Sequence, residues 1–200
     1  MGFGYLLCGY LVSLNPVYSG FTEWLGYALM LFGVTRLSVY NRGYRIAQYI
    51  GFFGLFTSFA QLVFSCLDML GLYSYQGTTL YSVISMLSLI LCVLFRCAVF
   101  YGTYQIARET GIDRLAVRAV YCIVIHVTVF IFNFLLTVKL IPPSSSGFMI
   151  ILFAGLLVGL VAFSLFFSCY RSIGLEGEEL EIQKAEEKEK RMEEKKEDKK

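Results

Sequence analysis

The strongest constraint on this chain is a succession of long stretches with almost no charge. Ile46 to Leu67, Met69 to Phe95 and Phe148 to Tyr170 contain no Asp, Glu, Lys or Arg; Ala119 to Val138 has His126 as its only titratable basic group; Phe21 to Tyr40 carries Glu23 near one end and Arg36 near the other. A hydrocarbon core about 30 Å thick is crossed by about 20 residues rising 1.5 Å each. Within lipid a segment must satisfy its own backbone hydrogen bonds, so such stretches form helices. The expected fold is therefore all-α: a polytopic transmembrane helical bundle over residues 1–172, with spans at about 21–40, 46–68, 79–104, 115–138 and 148–170. Asn41-Arg42-Gly43, Gly71 to Gly77, Thr110 to Asp113 and Pro142 to Gly147 separate them with turn and cap chemistry. A shorter apolar stretch, 3–14, ends at Asn15-Pro16. Its length gives about 18 Å of helix, short of a crossing. It is expected to be a short membrane helix; whether it spans, making six crossings instead of five and setting the side of the N-terminus, is left open.

Charge distribution supports the membrane reading. Of the 17 basic and 15 acidic residues, 19 lie between Glu176 and Lys200, leaving 13 for everything before them, too few to solvate a globule. That body is net positive and the tail net negative. Neither pairs a basic face with interleaved aromatics, so nucleic-acid binding is excluded. Residues 173–200 are expected to form a solvated cytoplasmic tail, either disordered or partly helical with the help of pairs such as Glu186 with Lys190. Docking of a cytoplasmic protein partner through 176–200 is the sharper alternative. Six cysteines with no CxxC pair, most of them inside apolar runs, argue for packing residues rather than a disulfide framework. No basic segment precedes the first apolar run, so no cleavable signal peptide is expected.

Orientation follows from arginine. Arg36, Arg42, Arg45, Arg108, Arg114, Arg118 and Arg171 fall on one side of alternating spans, and only Lys139 on the other. Positive residues stay inside, which places the C-terminus in the cytoplasm. Trp24, Tyr40, Tyr44, Tyr101 and Tyr104 fall near the expected boundaries, where aromatic rings collect.

Polar residues inside lipid are costly and mark contacts or sites. Three stripes recur at helical spacing: Gly51, Gly54, Ser58, Gln61 and Ser65; Ser82, Ser85, Ser88, Cys92 and Arg96; Cys122, His126, Asn133 and Thr137. Small and polar residues in a stripe let helices approach and hydrogen-bond. Arg96 and His126 each stand fifteen residues from Gly111, on opposite sides of a turn, and so at similar depth. Arg96, His126, Asn133, Cys122 and Gln61 form the candidate intramembrane polar site. Arg96 keeps its charge, with Glu23 and Asp68 expected toward the other membrane face, so it either snorkels to the interface past Tyr101 or faces a wet cavity that holds an anion or lipid headgroup. Cys122 and His126 are spaced for a shared metal, with Cys92 or Cys97 beside them, but a single histidine and no second ligand pair lead to an expectation of no metal and no cofactor. No nucleophile–base motif, zinc-protease helix or phosphate loop is present, so no catalytic residue is expected. Gly155 and Gly159 form a GxxxG pair suited to close helix packing.

Two segments carry a resemblance. Phe21 to Asn41, with Gly26-Tyr27, Gly33, Leu37 and Tyr40-Asn41, and Tyr104-Gln105-Ile106-Ala107-Arg108-Glu109-Thr110 resemble elements of uncharacterised small multi-pass membrane proteins of Gram-positive bacteria. The resemblance implies a bacterial cytoplasmic (inner) membrane and carries over no functional residue. The functional reading is a non-enzymatic structural, accessory or sensor-like membrane component. Its rival is a carrier or channel for a small solute, anion or lipid working through the Arg96–His126 region; a membrane-embedded enzyme ranks third. Oligomeric state, substrate and partner lie beyond the sequence.

Overall fold

Helix ends coincide with the breaks in the apolar pattern. The computed structural model describes residues 2–13, 19–71, 78–137 and 145–174, with the side chains of 19, 20, 133, 136, 137, 145–152 and 174 left out. Six α-helices follow in order: α1 (Phe3–Ser13), α2 (Ser19–Leu37), α3 (Arg42–Met69), α4 (Thr79–Glu109), α5 (Asp113–Thr137) and α6 (Ser145–Cys169), the last continuing into one π turn, Tyr170–Gly174. No strand occurs among the described residues, and the chain is an all-α helical bundle. The tail beyond 174 and the Pro142-Pro143 break lie outside the described residues.

The caps explain where the helices overrun the apolar runs. The Asn41 side chain accepts from the Gly43 N–H at 2.7 Å, so α3 starts at Arg42, four residues before the apolar run. At the far end of α4, Gly111 takes φ +74°, the Gly111 N–H donates to the Arg108 carbonyl, and the Ile112 N–H donates to the Ala107 carbonyl at 2.9 Å. These two hydrogen bonds close the helix in a left-handed glycine cap, a geometry that costs other residues energy. Helix α4 thus runs through Glu109, beyond the expected 104.

Among the described residues, four segments are long and apolar enough to cross a membrane: Arg42–Met69, Thr79–Glu109, Asp113–Phe132 and Phe153–Ile173. The chain is an integral membrane protein on this ground. The fifth expected span corresponds to α2, whose 19 residues include Glu23 and Arg36 and which is not one of these four.

Each helix packs against its neighbours in sequence, and α1 closes the ring against α6. The α1–α2 seam is made by glycine. Cβ atoms built at Gly9 and Gly26 would lie 2.6 Å from the Met30 nitrogen and 2.8 Å from the Gly9 oxygen, and one at Gly33 would lie 2.7 Å from the Gly2 oxygen. Only hydrogen at these positions permits backbones this close. Elsewhere glycines seat aromatic rings: Phe95 over Gly51, Tyr27 over Gly54 and Tyr44 over Gly102.

One end of the ring is defined by Gly2 against Leu37, Gly4 against Tyr170, and the Asn41 Nδ2 donating to Glu109 Oε1 at 3.0 Å. Seven arginines sit at or within about two turns of this end, on the last turn of α2, the first turn of α3, the last turn of α4, the first two turns of α5 and the π turn. The buried core lies toward the same end, from Phe3, Tyr44, Leu115 and Cys169 up to a layer containing Tyr10, Tyr27, Phe95 and His126. Beyond that layer the large side chains of α3, α4 and α5, such as Phe59, Val83 and Ile131, are exposed on the single chain.

Candidate functional site

The bundle's polar centre is assembled by α1, the shortest helix. Tyr10 is fully buried, with its ring against Phe100 and Phe166, and its hydroxyl lies 2.7 Å from His126 Nε2. The other ring nitrogen, Nδ1, lies 2.9 Å from the Cys122 carbonyl oxygen. A carbonyl only accepts, so Nδ1 carries the proton; in the neutral ring Nε2 is then the acceptor and Tyr10 the donor. Both nitrogens of the only histidine are engaged by the protein itself.

On the other side of Tyr10 stands Arg96 of α4. Its guanidinium carbon lies 5.3 Å from the centre of the Tyr10 ring, and Nη2 donates to Ser13 Oγ at 3.4 Å. Ser13 in turn donates to the Tyr10 carbonyl at 2.8 Å, back-bonding within the last turn of α1. The side chain is therefore turned into the bundle rather than along α4 past Tyr101, the snorkelling route. A guanidinium has five N–H donors; among the described residues only this one long bond engages them.

Arg96 and His126 are brought together as their matched depth required, but through Tyr10 rather than directly. Glu23 is the larger departure from expectation. It stands thirteen residues before Arg36 on α2, as Arg96 stands thirteen before Glu109 on α4, so both lie about 20 Å along their helices from the arginine-bearing end. Tyr27, one turn along α2 from Glu23, stacks on Phe95, the residue before Arg96 on α4, so a ring contact links the two helices at this level. No ion-pair contact joins Glu23 to Arg96 among the described residues. Among the described residues the buried Tyr27 hydroxyl has no hydrogen-bond partner, and neither does Ser88 Oγ two turns before Arg96 on α4.

The remaining expected residues scatter. Cys122 is buried and contributes its carbonyl to His126. Gln61 is half-buried on α3, beyond the stripe of Gly51, Gly54 and Ser58 that is buried. The Asn133 side chain lies outside the described residues. Gly159 is buried, whereas a Cβ at Gly155 would meet open space. Tyr10, Ser13, Glu23 and Tyr27 were not among the residues expected at the site. The available signal was a pair of hydroxyls three residues apart, Tyr10 and Ser13, at the end of a largely apolar helix.

No protein family, no curated protein and no solved structure matches this chain.

Proposed function

We propose that the chain is a non-enzymatic multi-pass component of a bacterial cytoplasmic membrane, with its tail in the cytoplasm, that holds a small anionic group at Arg96. One observation carries the reading: a permanently charged guanidinium is directed inward onto Tyr10 and Ser13, with most of its donors unused by the described residues. Charge buried in lipid without full compensation is expensive, and structures retain it where it serves a ligand or pathway. Glu23 stands at the same depth on α2 but makes no ion-pair contact with Arg96 among the described residues, which leaves the guanidinium donors for a ligand. The Tyr10–His126 bond supports the seat of the guanidinium from behind, so the histidine positions Tyr10 rather than meeting the ligand.

The test is a thermal-shift screen of the full-length protein in detergent against chloride, phosphate, acetate and longer carboxylates. At least one anion is expected to raise the Tm of the wild type and not that of Arg96→Leu. Absence of any shift, or equal shifts in the variant, would overturn the reading. In that event the polar centre is a structural tie, and the protein is an accessory or sensor-like component working through its surface and its tail.

A further inference from the structure

A second arginine is set up differently, at the arginine-bearing end and on the outside of the ring. Arg36 lies in the last turn of α2 and is exposed. Its guanidinium carbon is 4.9 Å from the Phe32 ring centre and 5.1 Å from that of Tyr5. These two rings meet edge to face with centroids 4.8 Å apart, forming an aromatic notch from α1 and α2 that parks the cation. A guanidinium held against aromatic rings keeps N–H donors that can form two parallel bonds to a phosphate or carboxylate. Among the described residues no hydrogen bond engages those donors.

The notch opens into a groove of about 560 Å³ lined by Gly4, Tyr5, Leu7, Cys8, Arg36 and Tyr170. Its one charged residue, Arg36, with the Tyr5 and Tyr170 rings, lies at the arginine-bearing end. Its apolar lining, Leu7 and Cys8, lies about one turn deeper along α1. Gly4 keeps the floor low, since a Cβ there would already touch the Tyr170 ring at 3.7 Å. A cation at interface level, continued inward by an apolar wall, has the polarity of a phospholipid read from headgroup to acyl chain. A free anion would leave the apolar wall uncovered. A zwitterionic lipid also offers a phosphodiester but brings its own cation beside the guanidinium, so a headgroup of net negative charge is the better match for Arg36.

We infer that this α1–α2–α6 groove is a binding site for an anionic phospholipid, its phosphodiester on Arg36 and the start of one acyl chain along Leu7 and Cys8. The occupant is independent of any ligand at Arg96, which lies deeper and inside the ring.

The experiment is native mass spectrometry of the full-length protein after exchange into mixed micelles containing equal phosphatidylglycerol and phosphatidylcholine. Retention of phosphatidylglycerol over phosphatidylcholine is expected at about fivefold, the preference one basic residue near an anionic membrane confers. Arg36→Gln should bring the two lipids to parity. Arg118→Gln, which alters a separate groove between α5 and α6, should leave the preference in place. Tyr5→Leu, which keeps the charge and removes one ring of the notch, should lower the preference and serves if Arg36→Gln cannot be extracted folded. Equal retention of both lipids by the wild type, or an Arg36→Gln or Tyr5→Leu protein that keeps the wild-type preference, would overturn the assignment. Equal losses from Arg36→Gln and Arg118→Gln would also overturn it, since general attraction to a basic surface would then account for the binding.

Discussion

The Tyr10 hydroxyl donates to His126 Nε2 across 2.7 Å, and these two residues belong to helices separated by more than a hundred positions in the chain. The bond fixes how α1, only 11 residues long, is rotated within the ring. With Tyr10 turned toward α5, its ring face is offered to Arg96, while Ser13, back-bonded to the Tyr10 carbonyl, meets the same guanidinium.

Tyr10→Phe removes the donor and strands a buried acceptor on His126. Interhelical hydrogen bonds in membranes are worth about 1 kcal/mol, so unfolding in detergent should report a loss of that order. A double-mutant cycle with His126→Leu isolates the bond from the packing of the ring; a coupling energy near zero would mean that the bond contributes nothing.

Gly9→Ala places a methyl group 2.6 Å from the Met30 nitrogen and 2.7 Å from the Gly26 oxygen, both backbone atoms that move only with the helix. The α1–α2 seam must then widen, at a cost on the order of 1–3 kcal/mol. Gly155→Ala, with nothing near its Cβ, should be neutral or slightly stabilising because alanine favours helix. Comparison of the two Tm values checks the contrast, and equal effects would refute it.

Asn41 both caps α3 and reaches across to Glu109. Asn41→Ala should cost about 1 kcal/mol through the cap alone. Asn41→Asp preserves the cap but sets a carboxylate against Glu109, so it should also destabilise, and Glu109→Gln should restore it. Failure of the second substitution to rescue the first would show that the two turns do not communicate.

Arg96→Leu removes the positive charge that acts on Glu23 and leaves the carboxylate half-buried. The double variant Arg96→Leu/Glu23→Gln is expected to be more stable than Arg96→Leu, measured as folded protein recovered from membranes and as Tm. A double variant no better than the single would place Glu23 outside the influence of Arg96.

The long apolar runs made the four membrane-crossing segments legible, because charge-free stretches of that length have one low-cost conformation in lipid. The ends were less so: α3 and α4 reach Asn41 and Gly111 because capping and backbone geometry, rather than the edge of the apolar run, stop a helix. The matched depth of Arg96 and His126 could be counted from Gly111. Tyr10 could not be placed between them, since nothing in an 11-residue apolar segment says which helix its hydroxyl will meet. Glu23 was read as belonging to the opposite membrane face. Counting back from Arg36 and from Glu109 gives it the same offset as Arg96, so its placement was available from the turn positions but was obscured by treating α2 as a span beginning near Glu23.

The glycine seam between α1 and α2 has a consequence for biogenesis. A segment of about 16 Å offers the insertion machinery too little hydrophobic length to be released into lipid by itself. Its partner, joined to it by backbone contact at Gly2, Gly9, Gly26 and Gly33, supplies the missing surface. Stable insertion of α1 is therefore expected to depend on α2, the two entering lipid as one antiparallel unit whose paired glycines are already in register.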